Sequence, residues 1–553
     1  MNFSLMRRRA MRLTGSLAAA TAMVLVAGCK DLDVENMNGV AATSFQESPT
    51  AAQLVVAAQG LVNGMKGLGF TSGTQGYEYW SFRASEPRGL TNAVISPTTG
   101  GNWSYSAIKN MNLILGALTT VTGFTDAQKE GMRGWIKFAK ALQYESMAEA
   151  RDHFGVPITL QEDPVNDAPA AINTNAEVWA YIFQLMDESY THLGNAGTTP
   201  FNFKIGTGWA GFNTPATMRP ANRAIKARWQ AIYAKPVGHA AFSAANWTAV
   251  LTTLGTVGTM INPADPSTTT GLPNLGGTAL TAAQMRAGPF SIYDAAATNG
   301  ANSVDRYSNS RFHVEAQCIA AGAIPAAGAI PAKQNACAQD TVRSNAAGSA
   351  IAYTPTNRDG RAFGAQARVQ ALTVANYQCL LLAGTIPICE HLRQTDPINP
   401  VQTARISTTS PMPVIDNGEL LLIRAEANMN LGNTSLAIRD INRVRQSALA
   451  NLGPITDPYV ADPALSQPAT LVDEWLYEKR FSMWGENNTV ALDMRRYGKS
   501  SLIPHHDASF RIFDFAPIPA AECDVRGYAT LGCYAGGYAG IQNGPNLYFQ
   551  PWQ

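Results

Sequence analysis

The sequence is short of charge and of catalytic signatures. Only 15% of its 553 residues are Asp, Glu, Lys or Arg, and 41 basic against 40 acidic residues leave a formal net charge of +1. Arg7, Arg8, Arg9 and Arg12 crowd the first dozen residues and no acid precedes Asp31, so beyond them 37 basic residues face 40 acidic ones. No basic footprint for nucleic acid remains. The seven histidines are scattered, and the adjacent pair His505 and His506 cannot both face one metal ion without a third ligand. There is no CxxC, HExxH, GxSxG elbow or phosphate-cradling P-loop. These absences remove the strong metal, nucleophile and nucleotide candidates, and neither an enzymatic activity nor a cofactor is expected.

What is present describes a globular chain with long irregular connections: 46% hydrophobic residues, 47 Gly and 31 Pro. The first residues form a secretory leader, with a basic start and an apolar run from Leu13 to Val26 that is too short to span a bilayer comfortably. Its exit, Leu25-Val26-Ala27-Gly28 before Cys29, looks like a bacterial lipobox, in which the cysteine is acylated and becomes the first mature residue. Several acyl chains at Cys29 would hold the protein on a membrane, where one alone binds marginally. The polar, acidic KDLDVENMNGV that follows suits a tether. The other six cysteines fall into neighbouring pairs, Cys318 with Cys337, Cys379 with Cys389 and Cys523 with Cys533. In a chain that leaves the cytoplasm, three local disulfides are expected.

Helical periodicity appears at 48–68, 103–121 and 125–154, the last opening on a capping box of Thr125 with Gln128 and stopping at Gly155-Val156-Pro157. It returns at 173–195, at 219–257 as two helices around a turn, and at 416–453, split at Gly432-Asn433 with small residues Ala425 and Ala437 at the crossing. These are helix hairpins of roughly the tetratricopeptide plan. From 258 to 410 no period persists, because Ala, Gly, Pro, Thr and Asn dominate.

Seven blocks in order then carry a family likeness: the lipobox with CKDLDVEN, WSYSAIKNMNLIL, KALQYESMAEARDHFGVPITL, AEVWAYIFQLMDESYTHL, ELLLIRAEANMNLGNTSLAIRDINRVR, DEWLYEKRFSMWGENNTVALDMRRYGK and PIPAAE. Together they resemble the SusD/RagB lipoproteins of bacterial outer membranes over most of 29–257 and 416–522. The resemblance implies a mostly α fold, a frame of tetratricopeptide-like helix hairpins with long irregular loops and little β. It also implies a surface-anchored protein that binds an oligosaccharide or other nutrient and partners a TonB-dependent transporter. The expected organisation is a signal peptide at 1–28, a tether at 29–47, a helical region at 48–257, a variable region at 258–415 and a C-terminal helical block at 416–553.

The block at 473–499 concentrates ionic residues, among them Glu474, Glu478, Arg480, Glu486, Asp493, Arg495 and Arg496. Arginines beside carboxylates lower carboxylate pKa, the wrong direction for a general acid. With Trp475, Leu476, Phe481 and Trp484 interleaved, the block reads as internal framework. Ligand contact is expected instead from aromatics and forked donors on the loops: Trp80 first, then Tyr79 and Arg83, with Tyr77, Asn102 and Trp209. The loop at 200–213 also offers Phe201 and Phe212. Two rival readings are a protein-interaction scaffold with a groove on its concave face and a surface hydrolase with a carboxylate pair across a cleft.

Overall fold

The computed structural model describes residues 48–64, 79–81, 105–149, 155–160, 169–205, 214–235, 243–255, 290–292, 306–308, 377–382, 386–391, 412–415, 417–445, 454–461, 469–482, 489–499, 522, 525 and 526. Within them the chain is mostly helical. The helices are α1 (Ala51–Gly64), α2 (Ser106–Thr120), α3 (Asp126–Ala148), α4 (Asn175–Ala196), α5 (Pro215–Ala234), α6 (Ala244–Gly255), α7 (Asn417–Asn430), α8 (Thr434–Arg445), α9 (Leu471–Ser482) and α10 (Thr489–Arg496). Six short strands accompany them: β1 (Tyr79–Ser81), β2 (Phe290–Ile292), β3 (Arg306–Ser308), β4 (Tyr377–Leu382), β5 (Ile386–His391) and β6 (Met412–Ile415).

Local chemistry sets the helix starts. Thr125 accepts from the Gln128 backbone N–H while the Gln128 side chain accepts from the Thr125 N–H, the capping box that the sequence announces at α3. Thr174 with Glu177 and Thr214 with Thr217 close the same reciprocal box at α4 and α5. Each cap contributes about 1 kcal/mol. Burial contributes more, since one fully buried large apolar side chain stabilises by about 1.5–3 kcal/mol. Trp135, Ile136, Phe138 and Ala139 of α3 are all fully buried, and they join Ile182, Leu185 and Met186 of α4 and Ile225 and Trp229 of α5 in one core.

Successive helices pack on one another, α1 on α2, α2 on α3, and so on through α5, α6, α7 and α8, with α9 against α7 and α10 against α9. This order is a tetratricopeptide-like helix-hairpin frame. The tightest approach is between α3 and α4. A Cβ at Gly134 would lie 2.7 Å from Leu193 Cγ and 2.9 Å from the Leu193 backbone N, so only glycine lets the helices meet there. The Gly134 carbonyl is not orphaned: Ser189 Oγ donates to it at 2.7 Å, and Asn222 Nδ2 of α5 donates to Ser189 Oγ at 3.1 Å. Between α7 and α8 the chain turns at Gly432, whose φ of +79° suits a residue without a side chain.

The stretch that shows no period in the sequence contributes strands. The sheet orders run β1-β3-β5-β4 and β2-β6, antiparallel throughout. Runs of three to six residues are too short to stand out by alternation, and outside the β4–β5 hairpin pairing partners far along the chain define them. Among the described residues no helix is long and apolar enough to cross a membrane.

Candidate functional site

Where its side chains are described, the framework block is largely internal, as its composition suggests. Glu474 and Glu478 are fully buried on α9 and both accept from Arg445 Nη1 of α8, at 2.5 and 3.0 Å. Lys479 meets Asp493 at 2.8 Å, and Arg496 of α10 reaches Asp493 at 2.7 Å and Glu426 of α7 at 2.9 Å. Arg496 also donates to the Ala231 carbonyl of α5 at 2.8 Å, which ties the C-terminal block to the N-terminal helices. Trp475 Nε1 donates to the Leu422 carbonyl at 2.8 Å. Trp484 and Glu486 lie outside the described residues, as do the side chains of Arg480, Phe481 and Arg495. A second tie joins Arg228 of α5 to the fully buried Glu419 of α7 through two 2.6 Å bonds.

The electrostatics are those of structure. Burial acts against charge at Asp493, yet Lys479 and Arg496 win and hold its carboxyl below the ordinary range. At Glu426 the balance reverses: burial, added to the nearby Asp493 charge, raises its pKa in spite of Arg496 and Lys479. Arg496 itself is held firmly protonated, because the two carboxylates outweigh its own burial. The arginine-rich surroundings therefore do not depress every acid, and Glu426 was invisible to a reading confined to 473–499.

One other pair of carboxyls lies close together. Glu145, one turn before the residue that caps α3, Glu149, is raised well above the ordinary range by burial and by the Glu149 charge. The two are hydrogen-bonded to each other, which leaves no space for the bond that a glycosidase must hold between its carboxyls at about 5 Å or more. Arg228 lies beside them and binds Glu419. Among the described residues no group of three His, Cys, Asp or Glu side chains is placed to hold a metal ion.

Of the expected ligand residues, Tyr79 and Trp80 occupy β1, where the register sets Tyr79 opposite Ser308 and Trp80 opposite Tyr307 of β3. Tyr77, Arg83, Asn102 and Trp209 lie outside the described residues, as do Cys29, Cys318, Cys337, Cys523 and Cys533. Cys379 and Cys389 fall directly opposite each other across the β4–β5 hairpin. Because β5 continues through β3 to β1, this hairpin shares a sheet with Tyr79 and Trp80.

A concavity that sequence reasoning only grazed lies between α1 and residues 201–205. It encloses about 660 Å³ and is lined by Val55, Val56 and Gly60 on one side and Phe201, Phe203 and Lys204 on the other. Phe201 stacks at a tilt on Phe203, 5.2 Å between centroids, and Phe203 meets Trp135 edge-on at 5.3 Å. Phe201 therefore combines a place in the wall with an anchor to the core. The volume is in the range of small-molecule clefts, and the flat apolar wall beside Gln59 and Lys204 could accept a ring with polar edges.

Comparison with known proteins places these features. The SusD family profile matches residues 395–540, which hold α7 to α10 and the ionic framework. The N-terminal blocks that contributed to the resemblance lie outside that match. No curated protein matches the chain. Similar solved structures include a SusD-like carbohydrate-binding protein from Bacteroides fragilis, 15% identical with a TM-score of 0.49 over 92% of this chain and 94% of that one. Another is a SusD superfamily protein from Bacteroides thetaiotaomicron, 12% identical with a TM-score of 0.48 over 86% of this chain and 98% of that one. A laminarin-binding SusD-like protein is 12% identical with a TM-score of 0.42, over 86% and 97%. Residues 395–540 of this chain match the SusD family, and that match is where its similarity to the SusD/RagB proteins is seen.

Proposed function

We propose that the protein is a cell-surface lipoprotein that captures an oligosaccharide and passes it to a partner TonB-dependent outer-membrane transporter. The observation that carries this reading is the SusD match over 395–540, coincident with the ion-paired framework of α7 to α10. Cys29 would carry the acyl anchor, and the polar segment behind it would keep the binding body close to the transporter, raising its effective concentration there. Trp80 and Tyr79 on β1, with Arg83, Tyr77, Asn102 and Trp209, would grip the glycan by stacking on sugar faces and bonding to hydroxyls. The chain would bind without chemistry. The buried acids support this, since each is paired with a cation or hydrogen-bonded to another carboxyl rather than set across a cleft.

Purification from the native outer membrane tests the partnership: a TonB-dependent barrel is expected to accompany the protein, and its absence would remove the delivery step. Calorimetry against a glycan panel tests binding. Trp80→Ala is expected to weaken affinity by about tenfold or more with the melting temperature kept, since one lost aromatic stack is worth about 1.5 kcal/mol. Retained affinity in a folded Trp80→Ala protein would take Trp80 out of the site.

A further inference from the structure

On the face shared by α4 and α5, cations outnumber acids. Arg219, Arg223 and Lys226 follow one another along α5 at helical spacing, an arrangement of like charges that works against the helix. Asp187 of α4 serves two of them, accepting from Arg223 at 2.7 Å and from Lys226 at 2.6 Å. The neighbouring acids of this face are engaged elsewhere: Glu188 with Lys137, and Glu130 with Arg133 and His192. Among the described residues no carboxylate pairs with Arg219.

Arg219 is nevertheless fixed. Its guanidinium carbon lies 3.9 Å from the Tyr190 ring centroid, and that of Arg223 lies 4.3 Å from the same centroid. One turn along α4, a Cβ at Gly194 would sit 3.4 Å from the same Arg219 carbon, so the glycine clears the space in which the guanidinium lies. Its Nε is buried with no hydrogen-bond partner. Arg223 spends its donors on Asn222, Asp187 and the Met186 carbonyl, and with Lys226 it is nearly enclosed, the two side chains being 8% and 10% exposed. They strengthen the local positive field without being touchable. Arg219 alone is left to offer a held fork of donors.

We propose that Arg219 is an anion-binding residue that takes the carboxylate or sulfate group of an acidic sugar unit. This rests on the glycan-binding reading above and gives that ligand a charge. A planar guanidinium matches such a group with two parallel bonds, and holding it against a ring in advance removes the cost of ordering it. Arg219 is half-buried with its Nε covered, and a single fork suits one anionic group better than the broad acidic surface of a protein, which would need several accessible cations.

The test titrates the wild type, Arg219→Gln and Arg219→Lys with tetragalacturonate, an alginate tetramer, a chondroitin sulfate tetrasaccharide and neutral maltotetraose by calorimetry, and records melting temperatures with and without sodium sulfate. Expected is binding of at least one acidic oligosaccharide, weakened about tenfold or more by Arg219→Gln and nearly as much by Arg219→Lys, which lacks the fork. Melting temperatures should change little, and neutral binding should not change. Equal affinity of wild type and Arg219→Gln for every acidic member would overturn the proposal, as would neutral binding with no acidic binding, which leaves the glycan reading standing. A sulfate-dependent stabilisation lost in Arg219→Gln, without acidic oligosaccharide binding, would reduce the residue to an inorganic-anion site and also overturn it. Failure of every glycan would count instead against the glycan-binding reading.

Discussion

At the scale of the residue, Lys140 shows how a buried charge announces itself. It sits on the core side of α3, 7% exposed, with its ammonium 5.4 Å from the Tyr181 ring centroid. Burial lowers its pKa to about 8, with the Lys137 charge adding to the effect and Glu188 opposing it. A folded-state pKa below the unfolded value means that the unfolded chain binds the proton more tightly. The penalty is fully present below about pH 8 and fades as the pH rises toward the ordinary lysine value. Lys140→Met is therefore expected to stabilise the protein by about 1–2 kcal/mol at pH 7 and by much less at pH 10, read from urea denaturation at the two pH values. A gain that does not depend on pH would show that packing, not charge, is responsible. The sequence gives no hint of this, because Lys140 looks like any lysine on an amphipathic helix until α4 lies over it.

At the scale of the element, the β4–β5 hairpin is the informative case. Its register opposes Cys379 and Cys389, and directly opposed residues of an antiparallel pair stand about 4.5–5.5 Å apart at Cα, within the range a disulfide spans. We expect peptide mapping without reduction to recover a Cys379–Cys389 linked peptide; free thiols at both positions, or a crossed linkage, would refute the pairing. The bond would close a short loop at the edge of the sheet that also holds Tyr79 and Trp80, restricting it in the unfolded chain. Helices were legible because their signals are local: caps at Thr125 and Gln128, apolar residues one turn apart, glycine at the α7–α8 turn. The strands were not, since a three-residue run such as Phe290–Ile292 has meaning only once Met412–Ile415 lies beside it.

At the scale of the whole molecule, a few long-range ionic contacts bind the two ends of the chain. Arg228 to Glu419 spans 191 residues of sequence and Arg496 to the Ala231 carbonyl spans 265. Near the C-terminus Arg526 joins in, donating to the Ala170 carbonyl at 2.7 Å while pairing with Glu522 of the PIPAAE block. Removing both acids from such a buried set would leave a cation without a partner, at a cost of about 3–5 kcal/mol. Glu478→Ala leaves Arg445 paired with Glu474 and is accordingly expected to lower stability by about 1.5–3 kcal/mol, the worth of a charged hydrogen bond, while the remaining folded protein keeps its ligand affinity. A stable Glu478→Ala protein that no longer binds would show that the framework is part of the site.

Sequence by itself determined the helical class, the hairpin boundaries, the internal character of the block at 473–499 and the resemblance that residues 395–540 bear out. All of these are written in periodicities, caps and composition within a few turns of chain. Tertiary structure alone decided that Glu426 completes the Arg496 network, that Glu145 and Glu149 share a bond rather than face a cleft, and that Arg219 lies on the Tyr190 ring with no acid paired to it among the described residues. The physical reason is the same in each case. The energy of a buried or stacked charge depends on what packs against it, and those neighbours come from helices distant in sequence.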